Sequence, residues 1–176
     1  MKRINVKLVA ILASVTIVSV VGVFFAQKYN VRRNADYLIR QADEAKKAGD
    51  SNEERRLLAR YLQHRPKDIA IRSRYAMTYT EFVKNLEAEQ QEQKFLLAAF
   101  RLLEDSVRAD PDNKELRRTA ADFMMQVGRY KDAVDHFSYL LKTPKDEAEK
   151  IEFELELAKG YRFGAEPDKA VRLYEE

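Results

Sequence analysis

Residues 115–140 read ELRRTAADFMMQVGRYKDAVDHFSYL. Leu116, Ala120, Phe123, Met124 and Val127 recur at steps of three and four residues, and so do Tyr130, Ala133, Val134, Phe137, Leu140 and Leu141. Such steps gather apolar side chains on one face of an α-helix, whereas a strand would alternate them singly. Gly128 separates the two runs and can take the backbone angles that stop a helix. The stretch therefore predicts two antiparallel helices joined by a tight turn. Ala120 and Ala121 leave room for a neighbouring helix, and Ala133 for a large side chain from the first helix.

The spacing resembles that of the tetratricopeptide repeat (TPR) family. Its signature is a Leu-Gly-x-x-Tyr group, then Ala-x-x-x-Phe, then Pro, with a period of 34 residues. The counterparts are Ala120-Ala121-x-x-Met124, Ala133-x-x-x-Phe137 and Pro144. Downstream, Leu157-Ala158-x-x-Tyr161 is followed nine residues later by Ala170-x-x-x-Tyr174, which is the family spacing. Upstream, Tyr75-Ala76-x-x-Tyr79 starts 34 residues after Gln41 and is completed by Ala99-x-x-x-Leu103 and Pro111. A first unit places Tyr37, Leu38, Gln41, Ala42 and Ala45 on one helix, a turn at Gly49-Asp50, Leu57, Leu58, Tyr61 and Leu62 on the next, and Pro66 at its end.

Two departures stand out. The first unit has Gln41 at the usual Leu and Glu54 at the usual small Ala, as terminal repeats often do. In the second, Tyr79 to Ala99 is 20 residues rather than nine, and the excess lies around KNLEAEQQEQK, residues 84–94. That segment has no Gly or Pro, so it predicts that both helices of the hairpin are lengthened. The resemblance covers residues 34–176 as four units, about 34–66, 67–111, 112–144 and an incomplete 145–176. The last unit stops inside its second helix, which implies further repeats or an oligomer contact at that end.

Residues 8–26, LVAILASVTIVSVVGVFFA, are uncharged over 19 positions. A helix of that length approaches the ~30 Å of a bilayer core. A cleaved signal peptide fits less well, because bulky Phe24 sits where a small residue is wanted before a cut after Ala26. The pattern predicts a transmembrane signal anchor, with a short basic tail at 1–7 and a basic juxtamembrane linker at 27–33. Lys2, Arg3 and Lys7 on one side nearly balance Lys28, Arg32 and Arg33 on the other. The short tail favours a cytoplasmic N-terminus and an extracytoplasmic, periplasmic-type soluble part. The expected fold is thus all-α: an N-terminal transmembrane helix followed by an α-α solenoid of TPR-like hairpins, in a single-pass membrane protein.

The 176 residues are 45% hydrophobic, enough for a core, and contain no Cys, which excludes disulfides and thiolate chemistry. The net charge of +3 misleads. Six of the 32 basic residues and no acid lie in residues 1–33, so residues 34–176 carry 26 basic and 29 acidic groups, a net of −3. A nucleic-acid partner is therefore not expected.

No catalytic constellation is legible. His64 and His136 have no second ligand at metal spacing and read as surface histidines. Glu152, Glu154 and Glu156 are two apart and do not share a helix face. Arg55, Arg56, Arg60 and Arg65 beside Glu53 and Glu54 read as a solvated face. No Gly-rich phosphate loop or Ser nucleophile motif is present. No metal, cofactor or enzymatic activity is expected from these residues.

What the resemblance implies is a protein or peptide partner, held on a concave surface made by the first helix of each hairpin. On that surface the candidate residues are Asp36, Ile39, Asp43, Lys46, Ser73, Met77, Thr80, Arg118, Asp122 and Met125. The Lys/Asn clamp with which some TPR proteins grip chaperone C-termini is not reproduced, since Ile39, Asp43, Arg118 and Asp122 occupy the corresponding places. A scaffold or adaptor held at the membrane by residues 8–26 is the resulting expectation. Its rivals are the interaction region of a longer enzyme, with a catalytic domain beyond residue 176, and a structural subunit of a membrane assembly.

Overall fold

The computed structural model describes residues 16, 19–22, 34–87, 92–164 and 166–175. From residue 34 onward these form α1 (34–47), α2 (Ser51–His64), α3 (Ile69–Lys84), α4 (Gln93–Ala109), α5 (Lys114–Gln126), α6 (Tyr130–Leu140), α7 (Glu147–Phe163) and α8 (Pro167–Glu175). Among the described residues there is no strand. From α2 onward each helix packs on the next, α1 shares a core with α2, and α3 also meets α5, so that successive hairpins stack.

The turns are set by local chemistry. Gly49 and Gly128 have φ of 74° and 77°, the left-handed region in which a Cβ is penalised. At Gly128 the amides of Gly128 and Arg129 return to the carbonyls of Met125 and Met124 at 3.3 and 2.8 Å. At Gly49 the amides of Gly49 and Asp50 return to Lys46 and Ala45 at 3.1 and 2.9 Å. Both are Schellman closures, which satisfy carbonyls that the helix leaves open. Asp50 then caps α2 by accepting from the Glu53 amide at 2.9 Å. Asp68, Asn113 and Asp146 cap α3, α5 and α7 in the same way.

The core has two parts. Ala35, Leu38, Ala42, Ala45, Leu57, Leu58 and Tyr61 close the first hairpin on itself, with Ile71 and Tyr75 of α3 against them. The larger part runs from Ala76 to Leu157 and includes Ala120, Ala121, Phe123, Met124, Ala133 and Phe137. The small residues expected to admit a neighbour are fully buried, as are Ala99 and Ala133 on the second helices.

Two expectations need correction, the first only in part. The helices of the second hairpin are lengthened, 16 and 17 residues in α3 and α4 against 13 and 11 in α5 and α6, but they do not take up the whole insertion: α3 ends at Lys84 and α4 begins at Gln93. Residues 85–87 and 92 are outside helix, and 88–91 lie outside the described residues. The transmembrane helix over 8–26 is the second. Among the described residues, no helix is long and apolar enough to cross a membrane. Of that stretch residues 16 and 19–22 are described, as helix. The single-pass membrane placement and the extracytoplasmic assignment are withdrawn with it. The rest of 8–26, the tail at 1–7 and the linker at 27–33 lie outside the described residues.

Candidate functional site

The first helices of the hairpins share a face. Lys46 of α1, Met77, Thr78, Glu81 and Arg74 of α3, and Glu115 and Thr119 of α5 line one cavity of about 240 Å³, with Glu54 of α2 at its edge. Two of the ten expected groove residues, Lys46 and Met77, are in this lining.

Arg74 organises one end. Its Nη1 donates to Asp43 Oδ1 at 2.5 Å, its Nε to Glu54 Oε1 at 2.7 Å and its Nη2 to the Ala42 carbonyl at 3.2 Å. Burial works against the Arg74 charge, but the hydrogen bonds to Asp43 and Glu54 outweigh it and hold the guanidinium pKa above its usual value. Glu54 is only 4% exposed. The departure seen at this position is thereby explained: a carboxylate replaces the small Ala of the other units, and the next hairpin supplies its cation.

The face continues to α7. Arg118 pairs with Glu152 and lies 4.0 Å from Asp122. Loss of solvent raises the Asp122 pKa above the ordinary carboxylate value, with Arg118 and Lys84 opposing and Glu156 and Glu152 adding to the rise. Those neighbours come from α3, α5 and α7, so Asp122 senses all three.

The other expected residues are distributed as follows. Asp43 and Arg118 are in the ion pairs just described. Ser73 and Thr80 are 1% exposed, beneath the surface rather than on it. Thr80 Oγ1 donates to the Ala76 carbonyl at 2.8 Å. Ile39 packs half-buried on the first core, and Met125 on the second. Asp36 is exposed and lies 3.5 Å from Arg65, which follows α2, and neither lines the cavity. Arg74, Thr78, Glu81, Glu115 and Thr119 carry no signal of this face in the sequence, and Glu152, read there only as one of three acids on separate faces, joins it through Arg118. Charge complementarity at one repeat's separation would have flagged Arg118 and Glu152, which are 34 residues apart.

His64 is exposed, but His136 is not the surface residue expected. It is 6% exposed, with Nε2 at 3.1 Å from Glu104 Oε1 and Nδ1 at 3.5 Å from Arg117. Glu104 lies 32 residues away on α4, beyond the reach of any local spacing rule. Among the described residues, no group of three or more His, Cys, Asp or Glu is placed to hold a metal ion. Glu152, Glu154 and Glu156 are directed to separate cations, Arg118, Lys150 and Lys159.

No protein-family model matches the chain, and no curated protein matches it. Solved structures do. MamA from AMB-1 superposes with a TM-score of 0.62 at 19% identity, over 80% of this chain and 75% of that one. MamA from MSR-1 gives 0.62 at 19%, over 80% and 73%. Residues 41-end of MamA from Desulfovibrio magneticus RS-1 give 0.63 at 12%, over 81% and 72%. The fold is a TPR-type helical solenoid. At such identities the likeness concerns the fold, and what the face of α1, α3, α5 and α7 binds must be argued from its own residues.

Proposed function

We propose that this chain is a protein-binding scaffold that takes a segment of its partner along the face of α1, α3, α5 and α7. The observation that carries the reading is the cavity to which three successive hairpins contribute first-helix side chains: Lys46, Met77 with Glu81, and Glu115 with Thr119. A surface assembled from stacked repeats is rigid in the folded state, so a bound segment meets prearranged groups and little ordering cost falls on the scaffold. The lining mixes an apolar residue with hydroxyls and charges, as peptide grooves do.

The test is photo-crosslinking in the native host. A photo-reactive amino acid replaces Met77 or Thr119 in the groove, or Gln63 on α2. The reading expects the same partner at both groove positions, absent at Gln63, and lost when Glu81 and Met77 are both replaced by Arg. Equal capture at all three positions would defeat it.

A further inference from the structure

The hydrogen-bonding capacity left over in the groove deepens that reading and rests on it. The cavity is lined by Glu54, Glu81 and Glu115 against Lys46 and Arg74, and Asp43 also stands on Arg74. Four carboxylates thus face two cations. Arg74 commits three of its five N–H groups to Glu54, Asp43 and the Ala42 carbonyl, and its charge is shared by two carboxylates. Among the described residues, neither Glu81 nor Glu115 makes an ion pair; Glu81 Oε1 accepts from the Asn85 side-chain Nδ2, at 3.0 Å.

The hydroxyls point the same way. Thr119 Oγ1 donates its proton to the Glu115 carbonyl at 2.9 Å, and Thr78 Oγ1 gives its own to the carbonyls of Arg74 or Tyr75, at 3.2 and 3.1 Å. A hydroxyl whose proton is committed offers only lone pairs. Apart from Lys46 and the two remaining N–H groups of Arg74, the lining therefore presents acceptors and negative charge. Net charge and hydrogen-bond polarity are separate properties, and both call for a cationic donor. Met77 adds an apolar surface on which the methylenes of a long basic side chain can lie.

We infer that the groove binds a Lys/Arg-rich segment of a partner protein, with one basic side chain stretched over Met77 and its charged head between Glu81 and Glu115. Arginine suits the place better than lysine, because it brings five donors and no acceptor in a planar fork. Along α5 and α7, Asp122, Glu152 and Glu156 already face Arg118 and Lys159, so that part of the face adds to the negative field rather than offering a second open place. Steering by this field makes the association fall with salt, over a screening length of about 8–10 Å.

The experiment uses the full 176-residue chain and fluorescence anisotropy. Three labelled peptides are compared: one with Arg residues among Ser and Leu, one with Gln for every Arg, and one with Glu for every Arg. The expected order is Arg above Gln, with no binding of the Glu peptide. Glu81→Lys with Glu115→Lys weakens the Arg peptide roughly tenfold or more, as loss of a close charge pair does. Glu81→Gln with Glu115→Gln, which spares the helix from charge reversal, weakens it less but in the same direction. Asp135→Lys on α6 leaves it unchanged. Equal affinity for Arg and Gln peptides, or preference for the Glu peptide, overturns the cationic partner while leaving the groove itself standing. An Arg peptide that binds all variants alike, or does not bind, also overturns it; the crosslinking at Met77 and Thr119 then decides separately whether the scaffold reading fails too. Salt-sensitive self-association of the unliganded chain, abolished by the Glu81/Glu115 variants, would make the occupant a second copy and equally refute a separate partner.

Discussion

Arg74 Nε donates to Glu54 Oε1 at 2.7 Å and joins the second hairpin to a carboxylate buried in the first. Ala99, Ala133 and Ala170 fill the equivalent place in the other units, and all are buried. The ion pair therefore replaces a packing contact, and breaking it strands a charge. Arg74→Ala is expected to destabilise the protein by roughly 3 kcal/mol, the range for an orphaned buried charge. Glu54→Ala combined with Arg74→Met restores most of that loss, because Ala is what the fold accepts there. Urea denaturation followed by far-UV circular dichroism measures both, and a double variant no better than Arg74→Ala would disprove the compensation.

Gly128 offers a second prediction. Its φ of 77° is closed by two backbone hydrogen bonds, so the angle cannot relax without opening the turn. Gly128→Ala is expected to cost about 1–2 kcal/mol, and Gly128→Asn less, since Asn tolerates this region. Gly49→Ala, with φ of 74°, should behave alike. Thermal midpoints of the four proteins give the comparison.

Close packing at Gly160 sets up a sign reversal. A Cβ there would stand 2.7 Å from Val134 Cγ2, inside van der Waals contact. Helix propensity favours Ala over Gly by about 1 kcal/mol, but overpacking costs ~1–3 kcal/mol and wins. Gly160→Ala should therefore destabilise the parent. In a Val134→Ala background the same change meets space and should stabilise. A double-mutant cycle reads the coupling directly.

Asp122 predicts a pH dependence. Loss of solvent, more than any other cause, raises its native pKa above the ordinary 3.8. A carboxyl with a raised native pKa holds its proton more tightly in the folded state than in the unfolded one. Its contribution to stability therefore falls as pH rises from below 3.8 through the native value. Asp122→Asn removes that fall, so the variant gains on the parent as pH rises through this window and keeps the gain at neutral pH. The gain stays below ~1 kcal/mol, because Asp122 is nearly half exposed and screened by water. Parallel urea melts at acid and neutral pH check it, and a constant difference between the two proteins would contradict it.

From residue 34 onward, sequence alone determined the helical hairpins, although it also suggested a membrane span over 8–26 that the structure does not support. Leu116, Ala120, Phe123 and Met124 fall on one face because the helix period is local, and Gly128 ends α5 because its conformation depends on its own missing Cβ. Asn113 and Asp146 cap α5 and α7 by accepting from amides three residues on, again a local act. The tertiary structure alone decided which charges meet. Asp43 and Arg74 are 31 residues apart, Glu104 and His136 32, Arg118 and Glu152 34. Those separations approximate one repeat, so the groups come together only when hairpins stack. The same stacking put Ser73 and Thr80 under the surface, although their positions along α3 looked equivalent to Met77. Local spacing gives a side chain's angle around its helix, but the neighbour that covers it comes from a distant part of the chain, and that decides whether it is core, ion pair or groove.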